Sequence, residues 1–145
     1  MAERTQAQRR ATGALTDAEY RALARFRFAL RVFLRFSRDA ARAAGLTPDQ
    51  HQLLLAIRGS AGGAPTISEL AESLQIRHHS AGELIDRAVE AGLLARTADP
   101  DDARLRRLVL TAHGSDILES LSAVHRDELK RFHDELAPIL NELGE

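Results

Sequence analysis

The sequence contains no cysteine, and only 4% of its 145 residues are aromatic. Without cysteine the chain can form no disulfide, no Cys-ligated zinc site and no thiol that senses oxidation. No apolar run approaches the roughly 20 residues that a membrane-spanning helix needs. The first residues also lack the apolar core of a signal peptide. We therefore expect a cytoplasmic protein that makes no membrane contact.

Motifs that serve catalysis are missing as well. The sequence has no Gly-rich phosphate loop, nucleophile elbow or catalytic triad. Asp101 and Asp102 lie on a predicted turn without a neighbouring base, so they do not predict a catalytic dyad. His78 and His79 are adjacent, but the other histidines show no H-x-x-x-H spacing typical of a metal site. We predict a protein that is not an enzyme and that needs no metal or cofactor.

Two short amphipathic helices are predicted near the middle of the chain, in the stretch Ala64–Leu110. Thr66 and Glu69 form a capping box, which predicts that the first helix starts near residue 67. Its apolar residues recur at the spacing of one buried helical face. After a tight turn, a second helix is predicted from about 77 to 91. This arrangement is typical of a helix-turn-helix.

A hairpin is predicted directly after these helices, over about 93–110, because the apolar period changes there from 3.6 to 2. Arg104, Arg106 and Arg107 surround its predicted tip. Guanidinium groups on such a hairpin can contact phosphates or enter a minor groove. The predicted fold is therefore mainly α with a small β wing, a winged helix-turn-helix that reads DNA.

Polar groups on the outer faces of these elements are the candidate DNA contacts. They are Ser68, Arg77, His78, His79, Ser80, Glu83, Arg87, Arg104 and Arg106. Those near the start of the second helix are expected to read base edges. Ser68 and Arg87 are expected to hold phosphates, and the two arginines of the hairpin to make the wing contacts. The alternative is that these side chains form an ordinary solvated surface.

The same residues resemble the MarR (multiple antibiotic resistance regulator) family of transcription factors. The resemblance rests on L-x-I-x-x-x-S-x-x-x-L-I-D-R-x-x-x-x-G-L-L at Leu74–Leu94 and on the wing DPDDARLRRLVLTAHG at Asp99–Gly114. The chain departs from the family at Ala103, where Arg is usual, and at Glu83, where a basic or small polar residue is common. The resemblance implies a homodimeric repressor bound to a pseudo-palindromic double-stranded operator.

The chain is long enough for one domain, 1–145. Within it we predict a mobile arm, dimerisation helices and a winged helix-turn-helix lobe. These parts are 1–14, then 15–45 with 112–145, and 47–111. The first long helix is apolar on two sides, which favours a second subunit as its partner. In the last helix, Ala137-Pro138 is expected to break the helix before a final apolar turn.

Charge is distributed unevenly, although the formal net charge is only -1. Residues 1–42 contain ten arginines and four acids, whereas residues 112–145 contain three basic and eight acidic residues. These opposite charges favour packing of the first helix against the last, within one subunit or across a dimer. The alternative is that the basic leader touches DNA.

Five of the six aromatic residues lie on the first predicted helix, together with several arginines. Apolar rings beside a guanidinium suit an aromatic carboxylate. In the resembled family a small phenolic or aromatic acid binds where the first two helices meet the DNA-binding lobe. The resemblance therefore implies an effector site at Phe33, Arg35 and His51. The alternative is that the rings form a dimer core and the arginines pair with the acidic tail.

Two other functions remain open at this point. A metal-responsive regulator would use the histidines with some of the carboxylates. A winged helix can also serve as a protein-interaction module that does not bind DNA.

Overall fold

The computed structural model describes residue 8 and residues 13–144. The predicted arm, 1–14, lies outside the described residues except for positions 8, 13 and 14. From residue 13 onward the elements are α1 (Asp17–Ala43), α2 (Pro48–Arg58), α3 (Ile67–Leu74), α4 (His78–Glu90), β1 (Leu94–Ala98), β2 (Arg106–Leu110) and α5 (Ala112–Gly144). The predicted fold class, mainly α with a small β wing, is confirmed. None of the described helices is both long and apolar enough to span a membrane.

Two helices begin at the capping boxes that the sequence contains. The Thr16 N–H donates to Glu19 Oε2 at 2.6 Å, and Thr16 Oγ1 accepts from the Glu19 N–H at 3.2 Å. Thr47 and Gln50 form the same reciprocal pair before α2, at 3.0 and 3.1 Å. Each pair satisfies backbone N–H groups that have no partner inside the helix. The starts of α1 and α2 are therefore fixed by local chemistry.

A residue in the left-handed conformation follows three of the described helices, α1, α3 and α4. Gly45 and Gly92 follow α1 and α4 with φ of 85° and 74°, a conformation that glycine adopts without steric cost. Gln75 follows α3 with φ of 54° and is the only non-glycine residue with positive φ in the part of the chain that the structure describes. Its side-chain amide donates to the Glu72 carbonyl at 2.7 Å, which helps to hold this less favourable conformation.

Two compact units divide the described residues. We call Ser37–Val124 the central unit, and the residues up to Phe36 together with those from His125 onward the terminal unit. The central unit has a leucine-rich core. Its largest fully buried side chains are Leu53, Leu54, Ile57, Leu70, Ile85 and Leu108. The core therefore includes residues from α2, α3, α4 and the wing.

The wing is an antiparallel pair of strands in which Leu94 pairs with Leu110 and Ala98 pairs with Arg106. Leu108 lies in the core, and its N–H donates to the Pro65 carbonyl at 2.9 Å. This hydrogen bond ties β2 to the segment that leads into α3. The wing is therefore attached to the helix-turn-helix by backbone as well as by side chains.

The side chains that the terminal unit buries are mainly small or polar. Ala22 and Ala29 are buried on α1, whereas Phe28 is 67% exposed on the same helix. The ring of His125 is buried and packs edge-on against Phe36, with ring centroids 5.5 Å apart. Most of the large apolar side chains of this unit remain in contact with solvent. The exposed ones are Tyr20, Leu23, Phe28, Leu34, Leu129 and Leu140.

The expected helix break at Ala137-Pro138 is wrong, because α5 continues through Pro138 to Gly144. Proline removes one backbone donor from the helix and disfavours the helical conformation of the preceding residue. Here the following turn buries Ile139 at 5% exposure, and Glu142 forms an ion pair with Arg25 within the terminal unit. These contacts favour a helical final turn in spite of the local preference.

Candidate nucleic-acid interface

Helix α4 is held by one apolar face, which leaves the opposite face in solvent. Ala81, Ile85 and Ala88 are buried in the central unit at the three- and four-residue spacing of a helical face. Arg77 is the N-cap residue and forms no side-chain cap hydrogen bond. Of the residues predicted from the sequence to read base edges, His79 and Glu83 lie on the opposite side of this helix.

All nine candidate DNA contacts are exposed. Two pairs of them lie close together: Ser68 Oγ is 3.4 Å from His78 Nδ1, and His79 Nε2 is 3.3 Å from Glu83 Oε1. The first pair joins α3 to α4, so Ser68 lies beside the start of α4. Arg87 lies one turn beyond Glu83 and is also exposed. The fold therefore presents donors and acceptors together along the outer face of α4.

An ion pair links α4 to the wing. Asp86 on the outer side of α4 pairs with Arg96 on β1. Both belong to the central unit, and Arg96 lies opposite Leu108 in the strand register. This exposed contact adds a side-chain link between β1 and α4, the two neighbouring elements that carry candidate DNA contacts.

The tip of the wing is organised around the carboxylate of Asp99, whose side chain is only 7% exposed. Asp99 Oδ1 accepts from the N–H groups of Asp101 and Asp102 at 2.8 and 2.9 Å. Asp99 Oδ2 accepts from Arg107 Nε. The hydrogen bond from Arg107 is the main cause that lowers the pKa of Asp99, and the N–H groups of Asp101 and Asp102 add to it. The carboxylate is therefore stabilised in its charged form.

Arg107 is used inside the protein, contrary to its grouping with the arginines of the hairpin tip. Besides Asp99, it donates to the Ala64 carbonyl at 2.9 Å, and its Nη1 lies 3.8 Å from Glu69 Oε1. Its backbone also bridges to Thr66, the N-cap residue of α3. The hydrogen bond to Asp99 is the main cause that raises the pKa of Arg107. Arg107 therefore fastens the wing to the start of α3.

Arg104 and Arg106 differ from Arg107, because both are exposed and neither forms an ion pair with a residue that the structure describes. The Arg104 N–H donates to Asp102 Oδ1 at 3.0 Å, which fixes the backbone of the tip, and the residue itself is exposed. Ala103 beside it is exposed as well. Two cations therefore remain at the wing for an external partner.

A cleft of about 410 Å³ lies beside α4 in the central unit. Ser80, Glu83 and Arg87 contribute to its lining, together with residues of α2 and of the turn after α3. Over residue 8 and residues 13–144, no three His, Asp or Glu side chains are close enough together to hold a metal ion. Ser80, Glu83 and Arg87 therefore line the cleft as hydrogen-bonding groups and do not form part of a metal site among the described residues.

The three residues of the implied effector site belong to different units. Phe33 packs against Phe132 in the terminal unit, with ring centroids 5.2 Å apart. Arg35 is exposed in the same unit. His51 is buried at 3% exposure in the central unit, and its Nδ1 lies 3.4 Å from Gln52 Nε2. The assignment of these residues to an effector stays a prediction.

Comparison with known proteins bears directly on this interface. The sequence profile of the MarR family matches residues 44–105, which include α2, α3, α4 and the wing tip. The resemblance to MarR proteins is confirmed. The fold is also similar to AbsC, a MarR family transcriptional regulator from Streptomyces coelicolor, with 25% identity, a TM-score of 0.72, and coverage of 89% of this chain and 88% of AbsC.

Two further solved structures are similar to this chain in fold. YusO from Bacillus subtilis is 26% identical, with a TM-score of 0.59 and coverage of 72% of this chain and 73% of YusO. A mutant MarR from E. coli complexed with operator DNA is 23% identical, with a TM-score of 0.67 and coverage of 81% of this chain and 84% of that protein. A search of proteins with curated functions gives no match.

Proposed function

We propose that this protein is a homodimeric transcriptional regulator that binds a pseudo-palindromic operator as a repressor. The observation that carries the proposal is the outer face of α4, whose six candidate residues from Arg77 to Arg87 are all exposed on a winged helix with a MarR fold. Two exposed arginines on the wing, Arg104 and Arg106, extend this surface. A solved relative of the same fold is a MarR complexed with operator DNA.

The size of α4 suits this role. Its 13 residues can enter a major groove, where the first turns of a helix reach base edges and arginines nearby reach phosphates. In a symmetric dimer, two copies of α4 would occupy successive major grooves, about 34 Å apart. This spacing requires half-sites separated by one helical turn of DNA.

Exposed apolar side chains of the terminal unit support the homodimer. Tyr20, Phe28 and Leu140 are 58%, 67% and 51% exposed in the single chain. Monomeric proteins seldom leave several large apolar side chains of one unit in water. Burial of these side chains against a second copy would remove apolar surface from water and stabilise the dimer. Sedimentation velocity over a range of protein concentrations measures this dimerisation.

An aromatic or phenolic acid is the effector class that we include in the proposal. Aromatic rings and arginines are concentrated on α1, which provides apolar surface and guanidinium groups together. Binding of such an acid would change the separation of the two reading helices and weaken their joint fit to DNA. Titration of the protein–DNA complex with a panel of aromatic acids tests this step.

The decisive experiment is a gel shift and fluorescence-anisotropy titration on the DNA upstream of the protein's own coding region, at several salt concentrations. We expect Arg104→Ala to weaken binding to every sequence and to flatten the salt dependence by about 0.9 per lost phosphate contact. Arg42→Ala is the matched control, because Arg42 is exposed but lies on α1, outside α4 and the wing.

Equal salt slopes for Arg104→Ala and the wild type would contradict the wing assignment. Failure to retard any promoter fragment at low salt would contradict DNA binding itself, and would favour a winged helix that contacts another protein.

A further inference from the structure

Glu83 is the one acidic residue among the nine candidate DNA contacts, and it lies where DNA would approach. Its side chain is 60% exposed, and that of His79, one helical turn earlier, is 87% exposed. A carboxylate in this position is repelled by the phosphates, and it carries no hydrogen-bond donor. A hydrogen bond accepted from a base would offset this repulsion.

Base edges in the major groove offer few donors. Guanine presents two acceptors and thymine an acceptor with a methyl group, whereas cytosine presents its N4 amino group and adenine an amino group beside an acceptor. Glutamate pairs with the cytosine amino group, since adenine N7 would face the second carboxylate oxygen. A carboxylate on the reading helix therefore favours one base and rejects those that present acceptors.

We propose that Glu83 reads a cytosine in each half-site of the operator, with His79 as its positioning residue. The contact of 3.3 Å between His79 Nε2 and Glu83 Oε1 holds one carboxylate oxygen and leaves the other to accept from the base. Both side chains lie on the face of α4 opposite the buried Ala81, Ile85 and Ala88. The neighbouring Gly82 has no side chain, which permits close approach of the helix to the base pairs.

This inference rests on the proposed function, and binding-site selection from a random double-stranded DNA pool tests both. Wild-type protein is expected to enrich a palindrome with a cytosine at one fixed position of each half-site. Glu83→Gln should move the preference at that position to adenine, because a glutamine side chain pairs with adenine N6 and N7. Glu83→Ala should remove the preference at that position, a loss of about tenfold in discrimination.

Glu90→Gln is the matched control. It removes the same charge from the same helix, and Glu90 is exposed about 10 Å further along α4. Its consensus should equal that of the wild type. His79→Ala should reduce the preference for cytosine, whereas His79→Gln, which keeps a donor, should largely restore it.

The outcomes separate the two proposals. If Glu83→Gln and Glu83→Ala select the same bases as the wild type at every position, Glu83 reads no base, and the inference is overturned while DNA binding stands. If the wild type enriches no sequence and binds no DNA at low salt, the proposed function fails and the inference fails with it. Circular dichroism of each variant verifies that the exposed substitutions leave the fold intact.

Discussion

The two compact units bury different kinds of side chain. In the central unit leucines and isoleucines such as Leu54 and Ile85 are fully buried, whereas in the terminal unit the most buried side chains on α1 are those of Ala22 and Ala29. Several of the larger side chains of the terminal unit, including Phe28, are exposed. The central unit therefore contains its own hydrophobic core, whereas the terminal unit, as far as its described residues go, leaves several large apolar side chains exposed.

This difference in burial predicts that the two units differ in what stabilises them. A unit that buries its leucines can hold α4 and the wing in place without help from another chain. A unit that buries alanines and exposes aromatic rings gains most of its stabilisation when another surface covers it. We therefore expect the stability of the central unit to be independent of protein concentration and that of the terminal unit to depend on it.

The largest change in the free energy of unfolding is expected when a cavity is made in the core of the central unit. Leu54→Ala should lower the free energy of unfolding by about 2–5 kcal/mol, because it removes a fully buried side chain from a packed core. Leu55→Ala is the matched control, since the adjacent Leu55 is 47% exposed. Urea denaturation of both variants measures the difference. Equal losses for the two variants would contradict the described core.

The next effect concerns two glycines of the central unit. A Cβ at Gly114 would lie 2.2 Å from the Leu93 carbonyl oxygen, so Gly114→Ala should destabilise the protein by about 1–3 kcal/mol through overpacking. At Gly82 a Cβ would meet no atom within 4 Å. Gly82→Ala should therefore stabilise α4 by up to about 1 kcal/mol. Thermal unfolding should rank Gly82→Ala above the wild type and Gly114→Ala below it.

Phe28 tests the terminal unit. Phe28→Ser should raise the dissociation constant of the dimer by about tenfold or more, because one apolar ring per subunit would lose its buried position. Glu90→Ser, an exposed change on α4 in the central unit, should leave the dissociation constant unchanged. Sedimentation velocity measures both. A Phe28→Ser protein that dimerises like the wild type would show that Phe28 lies outside the interface.

The smallest change in stability is expected from Asp99 at the tip of the wing, and it depends on pH. The folded pKa of Asp99 is lowered by the Arg107 hydrogen bond, so its ionised form stabilises the folded state above the unfolded pKa of about 3.9. That contribution is lost as the pH falls through the folded pKa. The difference in unfolding free energy between the wild type and Asp99→Asn should therefore shrink below about pH 4. A difference that stays constant from pH 6 to pH 3 would contradict this role of Asp99.

Local signals in the sequence predict much of the fold. The capping box at Thr47 and the glycine after α4, Gly92, place helix boundaries within a residue or two, because their hydrogen bonds involve neighbours only. Gln75 gives no comparable signal, since a left-handed glutamine is indistinguishable from a helical one in sequence. The helix break predicted at Pro138 was wrong, because the helix is held there by the burial of Ile139, which depends on residues distant in the chain.

The candidate site is predictable to a similar degree. The period of α4 was enough to place His79 and Glu83 on its outer face, where the structure shows them exposed. The role of Arg107 was not predictable, because the register of the hairpin decides which of the clustered arginines folds back to Asp99. An acidic residue eight positions earlier was the only available signal, and Asp101 and Asp102 offer competing acceptors.

The start and the end of the hairpin are joined at its base by hydrogen bonds from Thr111. Thr111 donates its N–H to the Leu93 carbonyl at 3.0 Å and its hydroxyl to the Gly92 carbonyl at 2.6 Å, and further out the Asp99 N–H donates to the Leu105 carbonyl at 3.0 Å. The segment between Asp99 and Leu105 is therefore a loop that is closed by a hydrogen bond within the hairpin itself. Insertions after Asp102 would leave these hydrogen bonds and those of the Asp99 carboxylate in place. In the proposed DNA complex, the reach of the wing tip could therefore change without a shift of α4.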